Sequence, residues 1–282
     1  MVVTGGAQTA LTALLDHLTA PGDTILTEAF AYPGLLATAS RRGLTIVGCP
    51  MDVEGLEPEP LAKLIAAHRP RLVCCTPTFQ NPTTATMGQA RRAAVVEIAR
   101  TAGVSIVEDD AYGLLPATPP PALAALWPEG VFHVATTAKT LSPGLRLAYV
   151  VTPPGRATGL ADTLHSIAQM PSPLMAAVVT AWIREGVAAK LLTGVRAEAV
   201  ARRALAAEWL PNAIGGAESM HVWLPSAVES STARERGLAF VGEETFRAPG
   251  ATGEGLRISL GAAGKRAALA QGLKALAALS AP

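Results

Sequence analysis

Long apolar runs are missing from this 282-residue chain. None approaches the roughly 20 residues of a membrane span, and the first residues lack the charged-then-apolar pattern of a secretory leader. A soluble, cytoplasmic protein without membrane contact is expected. Charge of one sign is missing too: 23 Lys and Arg against 22 Asp and Glu leave a net charge of +1. That provides no broad field to draw nucleic acid or an anionic surface, so neither is expected as a partner. The basic pairs, Arg41 with Arg42, Arg91 with Arg92 and Arg202 with Arg203, are isolated and read as solvated helix faces. Cysteine is scarce. Cys49, Cys74 and Cys75 make an odd number with no CxxC spacing, and neighbouring Cys74 and Cys75 point to opposite faces of a strand. A disulfide framework is therefore not expected, and a reducing cytosol is. Five histidines (His17, His68, His133, His165, His221) show neither HxxxH nor HxH spacing and read as structural or exposed. The four tryptophans read as packing residues, and no internal repeat or low-complexity tract stands out.

What is present argues for a packed globular fold. Half the residues are apolar and 16% are charged, well away from the composition of disordered chains. A chain of this length suits one large or two modest domains and buries roughly 75% of the surface its unfolded form exposes. Short apolar runs alternate with amphipathic stretches. Strands are expected at Met1–Thr4, Thr24–Thr27, Leu44–Val47, Arg71–Thr76, Val104–Glu108, Val131–Ala135 and Leu147–Val151. Helices are expected at Ala7–Leu18, Pro33–Arg42, Pro58–Ala67 and Gly88–Ala102. Strands alternating with helices, and apolar on both faces, predict an α/β fold with a doubly wound, mostly parallel sheet. After Pro153-Pro154-Gly155 the pattern changes to nearly continuous helix over 158–209, broken at Pro171, Pro173 and Gly186. Strands at Met220–Leu224, near Leu238–Val241 and at Leu256–Leu260 follow, with a short helix between the first two and a final helix over Gly264–Leu279. The expected organisation is a large domain over 1–160, connecting helices over 161–190, and a smaller α+β domain over 191–282.

In open parallel sheets, ligands bind beyond the carboxyl ends of the strands. The first strand runs into Gly5-Gly6-Ala7-Gln8 and then a helix, a place where backbone N–H groups can meet an anion. The 71–76 strand runs into Gln80-Asn81-Pro82, the 104–108 strand into Asp109-Asp110-Ala111-Tyr112, and the 131–135 strand into Thr136-Thr137-Ala138-Lys139. Ser142-Pro143-Gly144-Leu145-Arg146 follows. One sheet edge thus collects an anion cradle, an amide, a carboxylate, a phenol, a lysine and an arginine. A ligand with a phosphate, a basic ring nitrogen, a phenolic oxygen and an electrophilic carbonyl matches that set, and pyridoxal 5'-phosphate has all four.

Gly5-Gly6-Ala7-Gln8, Gln80-Asn81-Pro82-Thr83, Glu108-Asp109-Asp110-Ala111-Tyr112 and Lys139-Thr140-Leu141-Ser142-Pro143-Gly144-Leu145-Arg146 together resemble the ordered motifs of fold-type I aminotransferases of class I/II. The sequence is most similar to the aminotransferase-like domain of MocR-type regulators of the GntR superfamily. The resemblance implies a PLP-dependent transaminase acting on an amino acid and a 2-oxo acid, in a homodimer. It implies Lys139 as the Schiff-base lysine; a surface lysine after a strand is the alternative reading. Asp109 would pair with the ring nitrogen, with Asp110 directed into a cap or the solvent; a metal site at Glu108, Asp109 and Asp110 is disfavoured for want of histidine or oxygen partners at ligand spacing. Tyr112 and Asn81 would hydrogen-bond the phenolic oxygen, against an ordinary buried tyrosine and an Asn-Pro turn. Gly6, Ala7 and Gln8 would bind the phosphate through N–H groups, Gln8 adding its amide, with Thr136 and Arg146. Tyr32 resembles the residue that stacks on the ring, with core packing a near-equal reading. Arg257, in Gly255-Leu256-Arg257-Ile258-Ser259, matches the arginine that grips a substrate α-carboxylate; otherwise it is an edge-strand arginine in solvent.

Two departures bear on these expectations. Ala138 stands where relatives often carry serine, the loss of about one hydrogen bond, ~0.5–1.5 kcal/mol. The chain also opens directly on its first strand, where members of the family carry an N-terminal arm and the MocR type a winged-helix module, so a fragment or a reduced variant is expected. A PLP-binding, ligand-sensing regulator domain is thus the alternative function, and decarboxylation or C–S lysis on the same cofactor a third.

Overall fold

The computed structural model describes residues 1–225, 238 and 240–280. Its larger sheet has the strand order β1 (Val2–Thr4), β9 (Ala148–Val151), β8 (Val131–Thr136), β7 (Ser105–Asp109), β6 (Leu72–Cys75), β2 (Thr24–Glu28) and β3 (Thr45–Cys49). The run from β8 to β3 is parallel throughout. β9 is antiparallel to both its neighbours. Only residues 137–147 link β8 to β9, too few for the helical crossover that a parallel return needs. Met51–Asp52 (β4) and Gly55–Leu56 (β5) form a separate small hairpin that the sequence pattern does not reveal.

Side chains alternate across these strands, and two cores result. On one face Ile25, Leu72, Cys74, Val107, Phe132 and Val134 pack against α1 (Ala7–Leu18), α2 (Pro33–Arg41) and α6 (Ala157–Ala168). On the other, Leu26, Val73, Cys75, Ile106 and Val131 pack against α3 (Pro58–His68), α4 (Gln89–Ala102) and α5 (Leu123–Leu126). Cys74 and Cys75 fall in opposite cores, and all three cysteines are free and buried. The helical stretch expected over 158–209 resolves into α6, α7 (Pro173–Arg184) and α8 (Val187–Trp209), interrupted where the prolines and Gly186 lie. Gly186 is the turn residue, with φ +74°.

A second, three-stranded antiparallel sheet contains β10 (His221–Leu224), β12 (Leu256–Ser259) and β11 (Val241–Gly242), in the order β10-β12-β11. Val222, Leu224, Leu256 and Ile258 face a core completed by α8 and by α9 (Arg266–Ser280). The strand expected near Leu238–Val241 is found at Val241–Gly242 within the described residues; Ala239, and the short helix expected before it, lie outside them. Among the described residues no helix is long and apolar enough to cross a membrane.

Candidate functional site

A cavity of about 370 Å³ opens at the carboxyl ends of β6, β7 and β8. Its wall includes Gly6, Ala7, Gln8, Tyr32, Asn81, Asp109, Tyr112, Thr136, Lys139, Arg146 and Arg257, so all eleven candidate residues meet in one place. Thr76, Ala111, Ala138, Val241, Thr245 and Phe246 also line it. The last three come from the smaller sheet and its following turn, which no strand-end pattern points to.

One part of the cavity wall is built by backbone. β1 stops at Thr4, and Gly6 opens α1 with φ +109° and no side-chain cap. Uncapped N–H groups at a helix start favour negative charge. A Cβ on Gly6 would stand 2.9 Å from Arg146 Nη2, so glycine lets the guanidinium approach the helix start. Arg146 itself takes a left-handed conformation after the short turn Pro143–Leu145. Gly6→Ala should cost about 1–3 kcal/mol in backbone strain alone. A melting temperature lowered by roughly 2–8 °C is expected in a thermal unfolding scan.

Two expectations about hydroxyl and amide groups need correction. Gln8 Nε2 donates to the Gly34 carbonyl at 3.1 Å and to Thr38 Oγ1 at 3.0 Å, tying α1 to α2. Its amide hydrogens are therefore committed inside the chain, leaving its backbone N–H for an anion. Thr136 Oγ1 donates to the Leu147 carbonyl at 3.1 Å and accepts from Ala138 N at 3.2 Å. It lines the cavity with its hydrogen already directed elsewhere.

Elsewhere in the wall, Asn81 Oδ1 and Asp109 Oδ1 are buried and make no hydrogen bond among the described residues. Buried polar atoms in folded proteins are normally paired, so both are poised for a ligand. Burial pushes the Asp109 carboxyl up to about 7, with Asp110 adding to the rise and His133 and Lys139 opposing it. A cationic ring N–H placed here would restore the carboxylate. Lys139 Nζ stands 5.6 Å from the centre of the Tyr112 ring. The Tyr32 phenol, half-buried at the head of α2, is raised first by burial and then by Asp109.

Arg257 reaches the cavity through strand alternation. Leu256 and Ile258 on either side of it point into the smaller core, so Arg257 points the other way. Its guanidinium lies 6.0 Å from the Phe246 ring centre. It is thus held at the cavity rather than in solvent.

Asp110 does not face a cap or the solvent. It lies with Glu108 on the reverse face of the sheet from Asp109, and His133 joins them. His133 Nδ1 is 2.9 Å from Glu108 Oε2, and Nε2 is 3.9 Å from Asp110 Oδ2. The histidine that this acidic cluster lacks in sequence comes from β8, whose register sets His133 directly opposite Glu108. Burial opposes charge on His133, but the Glu108 hydrogen bond and the nearby carboxylates outweigh it and move its pKa upward. Glu108 also accepts from the N–H groups of Leu123 and Ala124 and lies 3.7 Å from the buried Arg92. These partners satisfy Glu108, while Asp110 Oδ1 is buried without a hydrogen bond among the described residues.

Glu28 is a further buried acid that no motif singles out; its only trace is a carboxylate closing an apolar strand. Its Oε1 accepts from the Thr76 N–H at 2.8 Å. Burial raises it to about 8, against the Thr76 and Gln80 hydrogen bonds and with a further push from Asp109. The folded chain therefore keeps a proton that the unfolded chain, near 4.5, releases. This contribution to stability is complete below about pH 4.5 and is lost as pH rises through about 8. Glu28→Gln should flatten that dependence: calorimetry of the ligand-free protein should show a smaller fall in melting temperature between about pH 5 and 8. A variant that falls as steeply as the parent chain would contradict the assignment.

The fold is an α/β protein with a largely parallel sheet and a smaller antiparallel unit, whose main cavity is lined by a lysine, an aspartate, an arginine and a glycine that opens a helix. The sequence model of the family "Aminotransferase class I and II" matches residues 1–276, and the chain belongs to that family. It is 35% identical over 171 residues to the uncharacterized HTH-type transcriptional regulator YdeF of Bacillus subtilis, covering 61% of this chain and 37% of the regulator. Across that protein and two further HTH-type regulators of the same bacterium, the chain spans 37% to 45% of their length. Its fold is similar to that of Pyrococcus horikoshii kynurenine aminotransferase, solved with PMP, at a TM-score of 0.90 and 26% identity over 98% of this chain and 74% of that one. It is also similar to the α-aminoadipate aminotransferase LysN of Thermus thermophilus, solved with N-(5'-phosphopyridoxyl)-L-leucine, at a TM-score of 0.88 and 27% identity over 98% and 76%.

Proposed function

We propose that the chain is a pyridoxal-phosphate-dependent aminotransferase that moves an amino group from an amino acid to a 2-oxo acid. The observation that carries this reading is the convergence of Lys139, Asp109 and the Gly6–Arg146 anion nest on one cavity. The residues fit the cofactor: Asp109, whose Oδ1 is buried with no partner among the described residues, lines the same cavity as Lys139, Arg146 and the uncapped start of a helix. When bound, pyridoxal phosphate supplies an aldehyde for an amine and a protonated ring that draws electrons from the substrate's Cα.

The chain's own residues do the rest. Lys139 would hold the cofactor covalently through Nζ and, once displaced, take the proton from the substrate's Cα. Asp109 would keep the ring nitrogen protonated by accepting its N–H. Asn81 and Tyr112 would bind the phenolic oxygen, and Tyr32 would pack on the ring. The N–H groups of Gly6, Ala7 and Gln8 would hold the phosphate with Arg146, while Thr136 would shape the cavity through its wall position. Arg257 orients the substrate by a bidentate pairing with its α-carboxylate. A second copy of the chain is the proposed partner, covering exposed Met170 between α6 and α7 and exposed Leu174 in the first turn of α7. The three unpaired cysteines suit a cytoplasmic setting.

The similarity to HTH-type regulators supports a second reading: a ligand-sensing domain that binds the cofactor and turns nothing over. The two differ in one assay. Protein loaded with pyridoxal phosphate is given a panel of amino acids and 2-oxo acids, and product formation is followed over many turnovers. Sustained transfer at enzyme-like rates supports the first reading. A single stoichiometric exchange, or none, supports the second.

A further inference from the structure

His221 is fully buried at the head of β10 and does not itself form the cavity wall. Directly opposed residues of an antiparallel pair share a face. His221 opposes Ser259 and Trp223 opposes Arg257, so the histidine shares the face that carries Arg257. From there it touches the large sheet's loops twice. Its Nε2 lies 3.2 Å from the Gln80 carbonyl oxygen, which belongs to the peptide leading into Asn81. Its ring lies 5.4 Å from the Tyr112 ring, tilted by 52°.

The neighbouring residues grip the same loop. Thr84 Oγ1 donates to the Ile214 carbonyl at 3.2 Å, and a Cβ on Gly216 would stand 2.5 Å from the Phe79 ring. Burial, with the Arg257 charge behind it, pushes the histidine down to about 3, so the ring is neutral and carries one N–H. Facing a carbonyl, that hydrogen belongs on Nε2. Nδ1 is then a buried acceptor with no partner among the described residues. Phenylalanine would fill the same place against Tyr112 without burying an unpaired nitrogen, which is costly. What histidine adds is the hydrogen bond to Gln80.

We propose that His221 is a positioning residue that ties the Arg257-bearing sheet to Asn81 and Tyr112 and so sets how those two residues bind the phenolic oxygen of the cofactor. The inference rests on the cofactor reading of the cavity. His221→Phe keeps the ring and loses the donor; His221→Asn also loses it, its amide being too short to reach Gln80, and replaces the first variant if that fails to fold. His221→Gln retains a donor of similar reach.

Two readouts separate position from mere stability. In cofactor-free protein, hydrogen exchange of the 78–87 segment should speed up in the Phe or Asn variant and return toward the parent rate in the Gln variant. In loaded protein, the pH midpoint of the visible absorbance band should move up by about one unit, a tenfold change in proton affinity, and be rescued by Gln. Cofactor should also dissociate roughly two- to tenfold faster, the range of one net hydrogen bond. Unchanged exchange and an unchanged midpoint in a folded loss variant overturn the proposal while leaving the cofactor reading intact. A parent protein that binds no pyridoxal phosphate overturns both.

Discussion

Replacing Lys139 by alanine removes the lysine-dependent visible band of the cofactor-loaded protein, leaving that of the free aldehyde, and lowers amino-group transfer by about 10³-fold, within the ~10²–10⁴ that a positioned proton-transfer group contributes. The effect is large because one side chain has two tasks, holding the cofactor and moving the proton at the substrate's Cα. Fold and cofactor contacts should survive: Lys139 Nζ stands 5.6 Å from the Tyr112 ring centre, a contact the fold can lose, and the proposed phosphate end is built by Gly6 and Arg146. Equilibrium dialysis should therefore find pyridoxal phosphate still bound to the variant, more weakly. A variant that keeps both its band and its rate would remove Lys139 from the chemistry.

Arg257→Gln gives the second large effect, a KM for the amino acid raised by roughly 10²-fold. Charge-assisted hydrogen bonds contribute about 1.5–3 kcal/mol each, and a bidentate pairing loses both its charge and its geometry with glutamine. The loss should appear for substrates with an α-carboxylate and vanish for simple amines, which give the arginine nothing to hold. Cofactor affinity should stay near the parent value, because Arg257 enters from β12 while the cofactor's proposed contacts come from the larger sheet's loops. Steady-state kinetics with matched acid and amine pairs checks this. A KM raised equally for both would mean that Arg257 shapes the cavity without binding carboxylate.

The sheet and the cavity were legible in the sequence for one physical reason. Parallel strands must be buried on both faces, which writes them as short apolar runs, and their carboxyl ends are where polar side chains can face a ligand. Gly6, Asn81, Asp109 and Lys139 are far apart in the chain, yet each sits just beyond an apolar run, and each lines the one cavity. What stayed hidden depends on register and reach. His133 meets Glu108 only because β8 pairs with β7 at that step, a fact no spacing along the chain contains. The fate of the Gln8 amide depends on Gly34 and Thr38, which α2 brings alongside α1. Gln80 carried a motif but its partners did not: its carbonyl meets a histidine 141 residues away. The antiparallel course of β9 follows from a short connection, readable only once the strand ends are known.

The central claim is that Lys139 is the amine that holds a vitamin B6 aldehyde in this cavity. Borohydride reduction of the pyridoxal-phosphate-loaded protein, followed by peptide mass spectrometry, tests it most directly. The account predicts a single reduced phosphopyridoxyl adduct, on the peptide containing Lys139, and none in Lys139→Ala protein. An adduct distributed over surface lysines such as Lys63 and Lys265, with Lys139 unmodified, would contradict it.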